Sequence, residues 1–203
     1  MKRLLLASDN PKKRAELLAM LAGLELVTPR DVGGLPPVEE DLATFAGNAA
    51  KKARSGARAS GLWCLADDSG LEVEALDGAP GVRSARYAGV HGDDAANNAK
   101  LLAELRGVAP SRRGARFVCA LALATPDGTI ALEIEGIATG RILEAPRGKR
   151  VFGYDPLFLF TEPGFPETDR GFAELAPGEK ARVSHRGRAI RELLTRLPRD
   201  LTA

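Results

Sequence analysis

The chain has 203 residues, with 29 basic and 27 acidic side chains and a net charge of +2. This length suffices for one large domain or two small lobes with a full hydrophobic core. A hydrophobic fraction of 44% is ordinary for a globular protein, and the balanced charge gives no support for general nucleic-acid or membrane-surface binding.

Cysteine usage and the N-terminal segment indicate a cytoplasmic protein. Cys64 and Cys119 lie in apolar runs, which is typical of small buried side chains in a reducing compartment. The N-terminal apolar run, Leu4–Ala7, is too short for a signal peptide, and no stretch reaches membrane-spanning length.

Apolar runs and helical patterns alternate through the first half of the chain. In chain order they predict a strand at 3–7, a helix from Pro11 capped by Asn10 and ended by Gly23, a strand at 26–28, a loop at 31–41, a helix at 44–60 ended by Gly61, and strands at 62–66 and 71–75. The segment 67–70 leaves the end of the strand at 62–66.

The second half begins with a helix and continues with a hairpin. The predicted elements are a helix from an Asp93 cap through Arg106, strands at 116–125 and 129–137 around Pro126-Asp127-Gly128, a strand at 157–160, and a helix from a Ser184 cap through Leu197. This mixture predicts an α/β fold with a mixed sheet and no obvious linker. Two lobes around a cleft remain possible.

The segment from Ser8 to Lys13 lies between a predicted strand and a predicted helix. Helix N-termini favour anions, and Lys13 could reach back toward a phosphate. A Walker loop is absent. The alternative is an ordinary capped helix with surface lysines, and the segment by itself favours that alternative.

Two groups of acids could hold a hard cation. Asp67 and Asp68 follow a buried strand, and ligands bind at the carboxyl ends of strands in α/β sheets. Adjacent carboxylates point to opposite sides of an extended backbone, so the residue that faces a ligand stays open. A second carboxylate could come from Glu39-Glu40-Asp41, as a magnesium site would require. The alternatives are a polar turn and a solvated acidic loop.

Two further segments could recognise a base. In Phe152-Gly153-Tyr154-Asp155-Pro156 an aromatic face could stack a base and glycine would permit close approach, although a core aromatic at a strand entrance is the alternative. Lys180 is followed by Ser184-His185-Arg186-Gly187, whose donors could read a keto group on a purine edge. The alternative there is a capped helix with exposed basic residues.

These segments together carry a family resemblance, because five or six blocks recur in order. From Leu4 to Leu194 the chain resembles the inosine triphosphate pyrophosphatase family, whose members hydrolyse non-standard purine nucleoside triphosphates. The matching blocks are LASDNPKKRAE (6–16), TFAGNAAKKAR (44–54), ADDSGL (66–71), GAPGVRSARY (78–87), FGYDPLF (152–158) and SHRGRA (184–189).

The resemblance implies hydrolysis of ITP, dITP and XTP to the monophosphate and pyrophosphate, with one or more Mg²⁺ ions. Asp68 would be the general base and a metal ligand, and Glu40 would be the second acidic group at the magnesium. Lys52 matches a family lysine near the phosphates. The implied substrate-binding residues are Ser8, Asp9, Asn10, Pro11, Lys12, Lys13, Ser69, Phe152, Gly153, Tyr154, Asp155, Lys180, His185 and Arg186.

The resemblance also implies an elongated mixed sheet flanked by helices, with two lobes and a central active-site cleft in a single domain over residues 1–203. Family members are usually homodimers. No nucleic-acid or membrane partner is expected.

The chain departs from the family pattern at two places. Gly47 stands where a Glu is usual, and Asp-Leu-Ala follows Glu40 where Thr-Gly-Leu is common. If the missing Glu helps to bind the metal, Glu40 and Asp68 must hold the metal with water alone. The rival functions are a septum-inhibitor-type pyrophosphatase for modified pyrimidine or methylated nucleotides, and a non-enzymatic nucleotide or nucleic-acid binder.

Overall fold

A computed structural model describes residues 3–8, 10–21, 23–149 and 152–202. The chain divides into two compact units. The first unit comprises Met1–Asp68, Cys119–Gly136 and Ala189–Ala203, and the second comprises Ser69–Val118 and Ile137–Arg188. The single domain predicted over residues 1–203 stays a prediction.

Six strands form one mixed sheet, as the alternation of strands and helices predicts. The strands are β1 (Leu4–Ala7), β2 (Leu26–Val27), β3 (Trp63–Val73), β4 (Gly114–Ala124), β5 (Ile130–Ile142) and β6 (Phe158–Phe160). Their order is β2-β1-β3-β4-β5-β6. The pairs β1–β2 and β1–β3 are parallel, whereas β5–β6 is antiparallel. The α/β class with a mixed sheet is therefore confirmed.

The predicted break between the strands at 62–66 and 71–75 was wrong. Strand β3 continues without a break from Trp63 to Val73, and Asp67 and Asp68 lie inside it. Turn chemistry is a local preference, and here tertiary contacts override it. Pairing with β1 ends at Ala7↔Ala66, so the two aspartates begin where the neighbouring parallel strand stops. This places them at the carboxyl end of β1, where α/β proteins bind ligands.

Six helices accompany the sheet in the described part of the chain. They are α1 (Pro11–Met20), α2 (Phe45–Ser60), α3 (Asp94–Glu104), α4 (Pro177–Val183), α5 (His185–Arg196) and α6 (Arg199–Thr202). The caps predicted at Asn10 and Asp93 are present, and Gly61 ends α2 in the left-handed conformation at φ 67°.

Two helix boundaries differ from the prediction. Helix α1 ends at Met20, before the predicted stop at Gly23. Helix α4, which the sequence pattern did not reveal, precedes α5, and Pro177 begins it. The helix has only seven residues before the extended Ser184, which is too short a span for helical periodicity to stand out.

Each unit has its own hydrophobic core. In the first unit, Leu4 and Leu6 pack with Leu17 of α1 and with Leu121 of β4. In the second unit, four aromatic rings from β4, β6 and the following segment form the centre, and they are Phe117, Phe158, Phe160 and Phe172. Within the described residues, no helix combines the length and apolar character needed to cross a membrane.

Candidate active site

Asp67 and Asp68 face two different helices of the first unit. Successive side chains of a strand point to opposite sides. Asp67 Oδ1 lies 2.8 Å from Lys13 Nζ of α1, and Asp67 Oδ2 accepts a hydrogen bond from Cys119 Sγ at 3.4 Å. Asp68 Oδ1 lies 3.2 Å from Lys52 Nζ of α2. Each aspartate is therefore matched to its own lysine.

Asp68 differs from Asp67 in that only one of its carboxylate oxygens has a partner among the described residues. Its exposed fraction is 5%, and its Oδ2 has no hydrogen-bond partner among the residues that the structure describes. Burial raises the pKa of Asp68 above its usual value, and the attraction of Lys52 and Lys13 offsets only part of that effect. A buried carboxylate oxygen without a partner is suited to bind a cation or to accept a proton.

Lys52 joins Asp68 to the acidic loop. Its Nζ lies 2.8 Å from Glu40 Oε1 and 3.2 Å from Asp68 Oδ1, so one ammonium group contacts both carboxylates. Burial lowers the pKa of Lys52, but the carboxylates of Asp68 and Glu40 together outweigh burial and raise it. Lys52 is thus charged and is central to this cluster.

The donor set of this cluster fits a magnesium ion. The carboxylate oxygens of Glu40 and Asp68 both lie next to Lys52 Nζ, and Asp68 Oδ2 has no hydrogen-bond partner among the described residues. Mg²⁺ is commonly held by one or two carboxylates, with water and substrate phosphates in the other positions. No group of three or more His, Cys, Asp or Glu suited to a metal occurs within residues 3–8, 10–21, 23–149 and 152–202. Glu40 and Asp68 are the carboxylates of this cluster that could hold the ion.

The loop that carries Glu40 is fixed by Asn48 of α2. The Asn48 side chain is fully buried, its Oδ1 accepts from Leu42 N at 3.0 Å, and its Nδ2 donates to Leu42 O at 3.2 Å. One amide side chain therefore satisfies both backbone groups of Leu42. This contact holds the residues that follow Glu40 against the helix that carries Lys52.

The two departures from the family pattern lie against each other. A Cβ atom built on Gly47 would lie 3.1 Å from Leu42 Cδ1 and 3.0 Å from Thr44 Oγ1. A side chain at position 47 would therefore require a small shift of the exposed Leu42 side chain, so the residues at these two departures are in contact.

The N-terminus of α1 is capped by the side chain of Asn10, as the sequence predicts. Asn10 Oδ1 accepts from Lys12 N at 2.9 Å and from Lys13 N at 3.1 Å, and Pro11 has no N–H. These amides are already capped, and the carbonyl of Ser8 accepts from Arg14 Nη1. Lys13 extends from this first turn to Asp67, where its Nζ lies 2.8 Å from Oδ1. Asp9, also predicted to bind substrate, lies outside the described residues.

The second unit brings together the residues predicted to recognise the base. Arg186 is only 1% exposed, and its Nη2 donates to Ser69 Oγ at 2.8 Å. Its guanidinium carbon lies 6.0 Å from the centre of the Phe152 ring, and Lys180 Nζ lies 5.0 Å from the same ring centre. Lys180 is also ion-paired with the buried Asp155. Arg186 is therefore not an exposed basic residue, which was the alternative interpretation of this segment.

His185 and Tyr154 are packed into the interior of this unit. The His185 ring stacks on Phe117 with centroids 4.7 Å apart and planes 11° apart. Tyr154 is buried, and its hydroxyl donates to Ser84 O at 2.9 Å. The hydroxyl of Tyr154 is thus used in supporting the structure.

Gly187 allows α5 to begin directly after α4. Ser184 Oγ accepts from Gly187 N at 3.1 Å, as the predicted cap requires. A Cβ atom at position 187 would lie 1.8 Å from the carbonyl oxygen of Ala181. Only glycine permits this approach, so the Ser-His-Arg-Gly block has a steric requirement as well as a polar one.

Sequence reasoning did not identify Asn48, nor Asp94 and Asn98, whose side chains hydrogen-bond to the backbone of Gly153. Asn48 lies within a matching block, but nothing in its helical spacing distinguishes it from a surface residue. Asp94 and Asn98 lie four residues apart at the start of α3, where Asp and Asn are ordinary capping residues. The i, i+4 spacing of two polar side chains beside a cap was the available signal.

Comparisons with known proteins identify the family. The Ham1 family model matches residues 4–196. A dITP/XTP pyrophosphatase from Nocardia farcinica is 52% identical over 97% of this chain and 95% of its own length. Another dITP/XTP pyrophosphatase, from Syntrophobacter fumaroxidans, is 53% identical over 94% of this chain and 79% of its own length.

Solved structures give the same result. A HAM1 protein from Coxiella burnetii matches with a TM-score of 0.85 and 42% identity, covering 97% of this chain and 98% of that one. A nucleoside-triphosphatase / dITP/XTP pyrophosphatase from Mycobacterium abscessus matches with a TM-score of 0.76 and 50% identity, covering 97% and 99%. The α/β fold with a mixed sheet is thus the fold of these solved structures. The chain belongs to the Ham1 family.

Proposed function

We propose that this protein hydrolyses non-standard purine nucleoside triphosphates, namely dITP, XTP and ITP, to the nucleoside monophosphate and pyrophosphate. The observation that carries the proposal is the buried Asp68 carboxylate, whose Oδ1 is paired with Lys52 and whose Oδ2 has no partner among the described residues. The names of the relatives support the same reaction.

The residues of the first unit suit the phosphate end of such a substrate. Water would attack the α-phosphorus, a P–O bond to that water would form, and the P–O bond to pyrophosphate would break. Asp68 Oδ2 would accept the proton of the attacking water. Lys13 and Lys52 would neutralise charge on the phosphates and on the leaving pyrophosphate.

A divalent cation completes this proposal. Glu40 and Asp68 would hold Mg²⁺, which when bound would neutralise phosphate charge and lower the pKa of a bound water. The observation in support is the pair of carboxylates gathered around Lys52 Nζ.

The residues of the second unit suit the base. Hypoxanthine and xanthine carry a keto oxygen at position 6, whereas adenine carries an amino group there. Donors from Arg186 would pair with the keto oxygen and oppose the amino group. A buried donor that faces another donor costs about 1–3 kcal/mol. Phe152, with two cations near its ring, would supply the stacking surface.

Three finer features are proposed on the family resemblance. The protein would act in the cytoplasm, it would form a homodimer, and it would bind no nucleic acid. The balanced net charge of +2 supports the last of these.

The test of this function is the release of pyrophosphate from a panel of nucleoside triphosphates with Mg²⁺ present. The panel contains ITP, dITP, XTP, ATP, GTP and a methylated pyrimidine triphosphate. We expect kcat/KM for ITP, dITP and XTP to exceed that for ATP by at least about a hundredfold. Preference for the pyrimidine would favour the septum-inhibitor-type activity, and absence of hydrolysis throughout would favour a binding protein.

A further inference from the structure

Two side chains of helix α3 form hydrogen bonds to the backbone of Gly153 in the second unit. The backbone N–H of Gly153 donates to Asp94 Oδ2 at 3.0 Å. The carbonyl of Gly153 accepts from Asn98 Nδ2 at 2.8 Å. Both backbone groups of Gly153 are therefore held by two side chains of one helix, four residues apart on the same face.

The orientation of the Asn98 amide is determined by its neighbours. Its Nδ2 donates both to Gly153 O at 2.8 Å and to Asp94 O at 2.7 Å. Both partners are carbonyl oxygens, which can only accept, so the NH₂ group must face them. As a consequence of this orientation, Asn98 Oδ1 is buried and has no hydrogen-bond partner among the described residues. The contact with Gly153 is thus kept although one polar atom is left without a hydrogen bond.

Asp94 is not needed as the cap of α3. That role belongs to Asp93, whose Oδ1 accepts from Ala96 N at 2.9 Å. The neighbouring carboxylate of Asp94 is directed to Gly153 N. Two consecutive aspartates therefore carry different tasks, and only Asp94 contacts the Phe-Gly-Tyr segment.

Gly153 is a position at which the backbone would be flexible if other residues did not hold it. Its φ is +53°, in the left-handed region that glycine adopts freely. Glycine is also the residue with the most conformational freedom to lose, so a glycine between two aromatic residues is a flexible joint unless its backbone is held. The ring of Phe152 precedes this joint, and the buried Tyr154 follows it.

We propose that Asp94 and Asn98 are positioning residues that hold the Gly153 peptide and thereby fix the Phe152 ring as the surface that receives the base. This inference rests on the proposed function, because it concerns the base end of the same substrate. Neither side chain needs to touch the nucleotide. They act through Gly153, and their loss would affect binding of the base without affecting the phosphate cluster of the first unit.

The experiment uses the full-length protein with three test variants and a matched control. Asp94→Ala and Asn98→Ala remove the two contacts, and Asp94→Asn keeps an oxygen that can accept from Gly153 N. The control is Asp93→Ala, which makes the same chemical change one residue earlier and removes only the helix cap. Two quantities are measured. One is hydrogen exchange of peptides that contain Gly153, and the other is the Kd of inosine monophosphate and of pyrophosphate, each with Mg²⁺ present.

We expect Asp94→Ala and Asn98→Ala to speed exchange at Gly153 by at least about tenfold. Their Kd for inosine monophosphate should rise by about three- to tenfold, while the Kd for pyrophosphate stays within about twofold of wild type. Asp94→Asn should lie close to wild type in both quantities. The control should lower Tm and leave exchange at Gly153 and both Kd values unchanged.

The outcomes separate the positioning role from the proposed function. Unchanged exchange, equal weakening of both ligands, or a control that behaves like the test variants would overturn the positioning role. Wild-type protein that binds inosine monophosphate, with test variants that bind it equally well, overturns the positioning role alone. Wild-type protein that does not bind inosine monophosphate overturns the base-positioning role together with the proposed function.

Discussion

At the scale of single residues, the neighbouring aspartates Asp67 and Asp68 of β3 differ in the contacts of their carboxylate oxygens. Asp67 Oδ1 lies 2.8 Å from Lys13 Nζ and Oδ2 accepts from Cys119, so both of its oxygens are engaged. Asp68 has one oxygen paired with Lys52 and the other without a partner in the described chain. The alternation of a strand explains why two adjacent and chemically identical residues have different tasks.

Asp68→Asn is expected to lower kcat by at least about a hundredfold while the protein stays folded. An amide cannot accept the proton of water and is a poor ligand for Mg²⁺. Pyrophosphate release from ITP measures the effect, and circular dichroism checks the fold. Asp67→Asn is the matched control, and its smaller loss should appear mainly in KM, because Asp67 positions Lys13. A reversed order of the two losses would transfer the role of base to Asp67.

Arg186→Ala is expected to reduce discrimination between bases. A charged hydrogen bond is worth roughly 1.5–3 kcal/mol, so kcat/KM for ITP should fall by about ten- to a hundredfold. The value for ATP should fall less, because a clash between donors is also removed. The ratio of the two kcat/KM values is the measurement. Equal falls would mean that Arg186, which is bonded to Ser69, acts on folding or on the phosphates.

At the scale of elements, helix α2 lies very close to the sheet at one glycine. A Cβ atom on Gly56 would lie 2.7 Å from Cys64 Sγ and 3.3 Å from Ala7 Cβ. Real Cβ atoms do not approach so closely, so the helix depends on this glycine for its distance from β1 and β3. The same helix carries Lys52, and its position therefore affects the acid cluster.

Gly56→Ala is expected to lower the free energy of unfolding by about 1–2 kcal/mol. Alanine normally stabilises a helix interior by about 0.5–1 kcal/mol relative to glycine, but overpacking costs about 1–3 kcal/mol. Urea denaturation measures the change. Gly178→Ala in α4, where no atom lies within 4 Å of the new Cβ, is the control and should not destabilise the protein.

A second variant shows whether the contact with sulfur is the cause. In a Cys64→Ala background the 2.7 Å contact is absent, and Gly56→Ala should then cost less than it does in the wild type. Equal costs in the two backgrounds would show that the strain arises elsewhere, for example at Ala7.

At the scale of the whole molecule, burial of the Cys64 thiol is expected to make the folded state less stable as the pH becomes alkaline. Burial raises the pKa of the Cys64 thiol to about 12, and a backbone hydrogen bond with Ala7 offsets this only in part. In the unfolded chain a thiol has a pKa of about 8.5. The native state therefore keeps its proton where the unfolded state loses it. Stability from this group is complete below about pH 8.5 and declines as the pH rises toward 12.

The free energy of unfolding should therefore fall between pH 9 and pH 11, with Cys64 contributing up to about 1.4 kcal/mol per pH unit. Urea denaturation at several pH values, for the wild type and for Cys64→Ala, isolates this contribution. Other groups titrate in both proteins, so their effects cancel in the difference. The two curves should converge as the pH rises. Parallel curves would mean that the Cys64 thiol ionises equally easily in both states.

Much of this protein follows from its sequence, because the relevant signals are local. Helix caps at Asn10 and Asp93, the glycine that ends α2, and the alternation of helices with strands predicted most elements and the α/β class. The order of six short blocks, from LASDNPKKRAE to SHRGRA, predicted the family, which the comparisons confirm. Those blocks also indicated Asp68 and Glu40 as the acids of interest.

Tertiary structure alone decided how those residues are used. Asp-Asp-Ser-Gly is turn chemistry locally, but in the folded chain it lies inside β3, beyond the end of the pairing with β1, and its two aspartates contact lysines from different helices. The hydrogen bond between Gly153 and Asp94 joins residues 59 positions apart, and no local sequence pattern predicts such a contact. Ion pairs and hydrogen bonds between distant residues depend on how elements pack, and packing is a property of the folded chain.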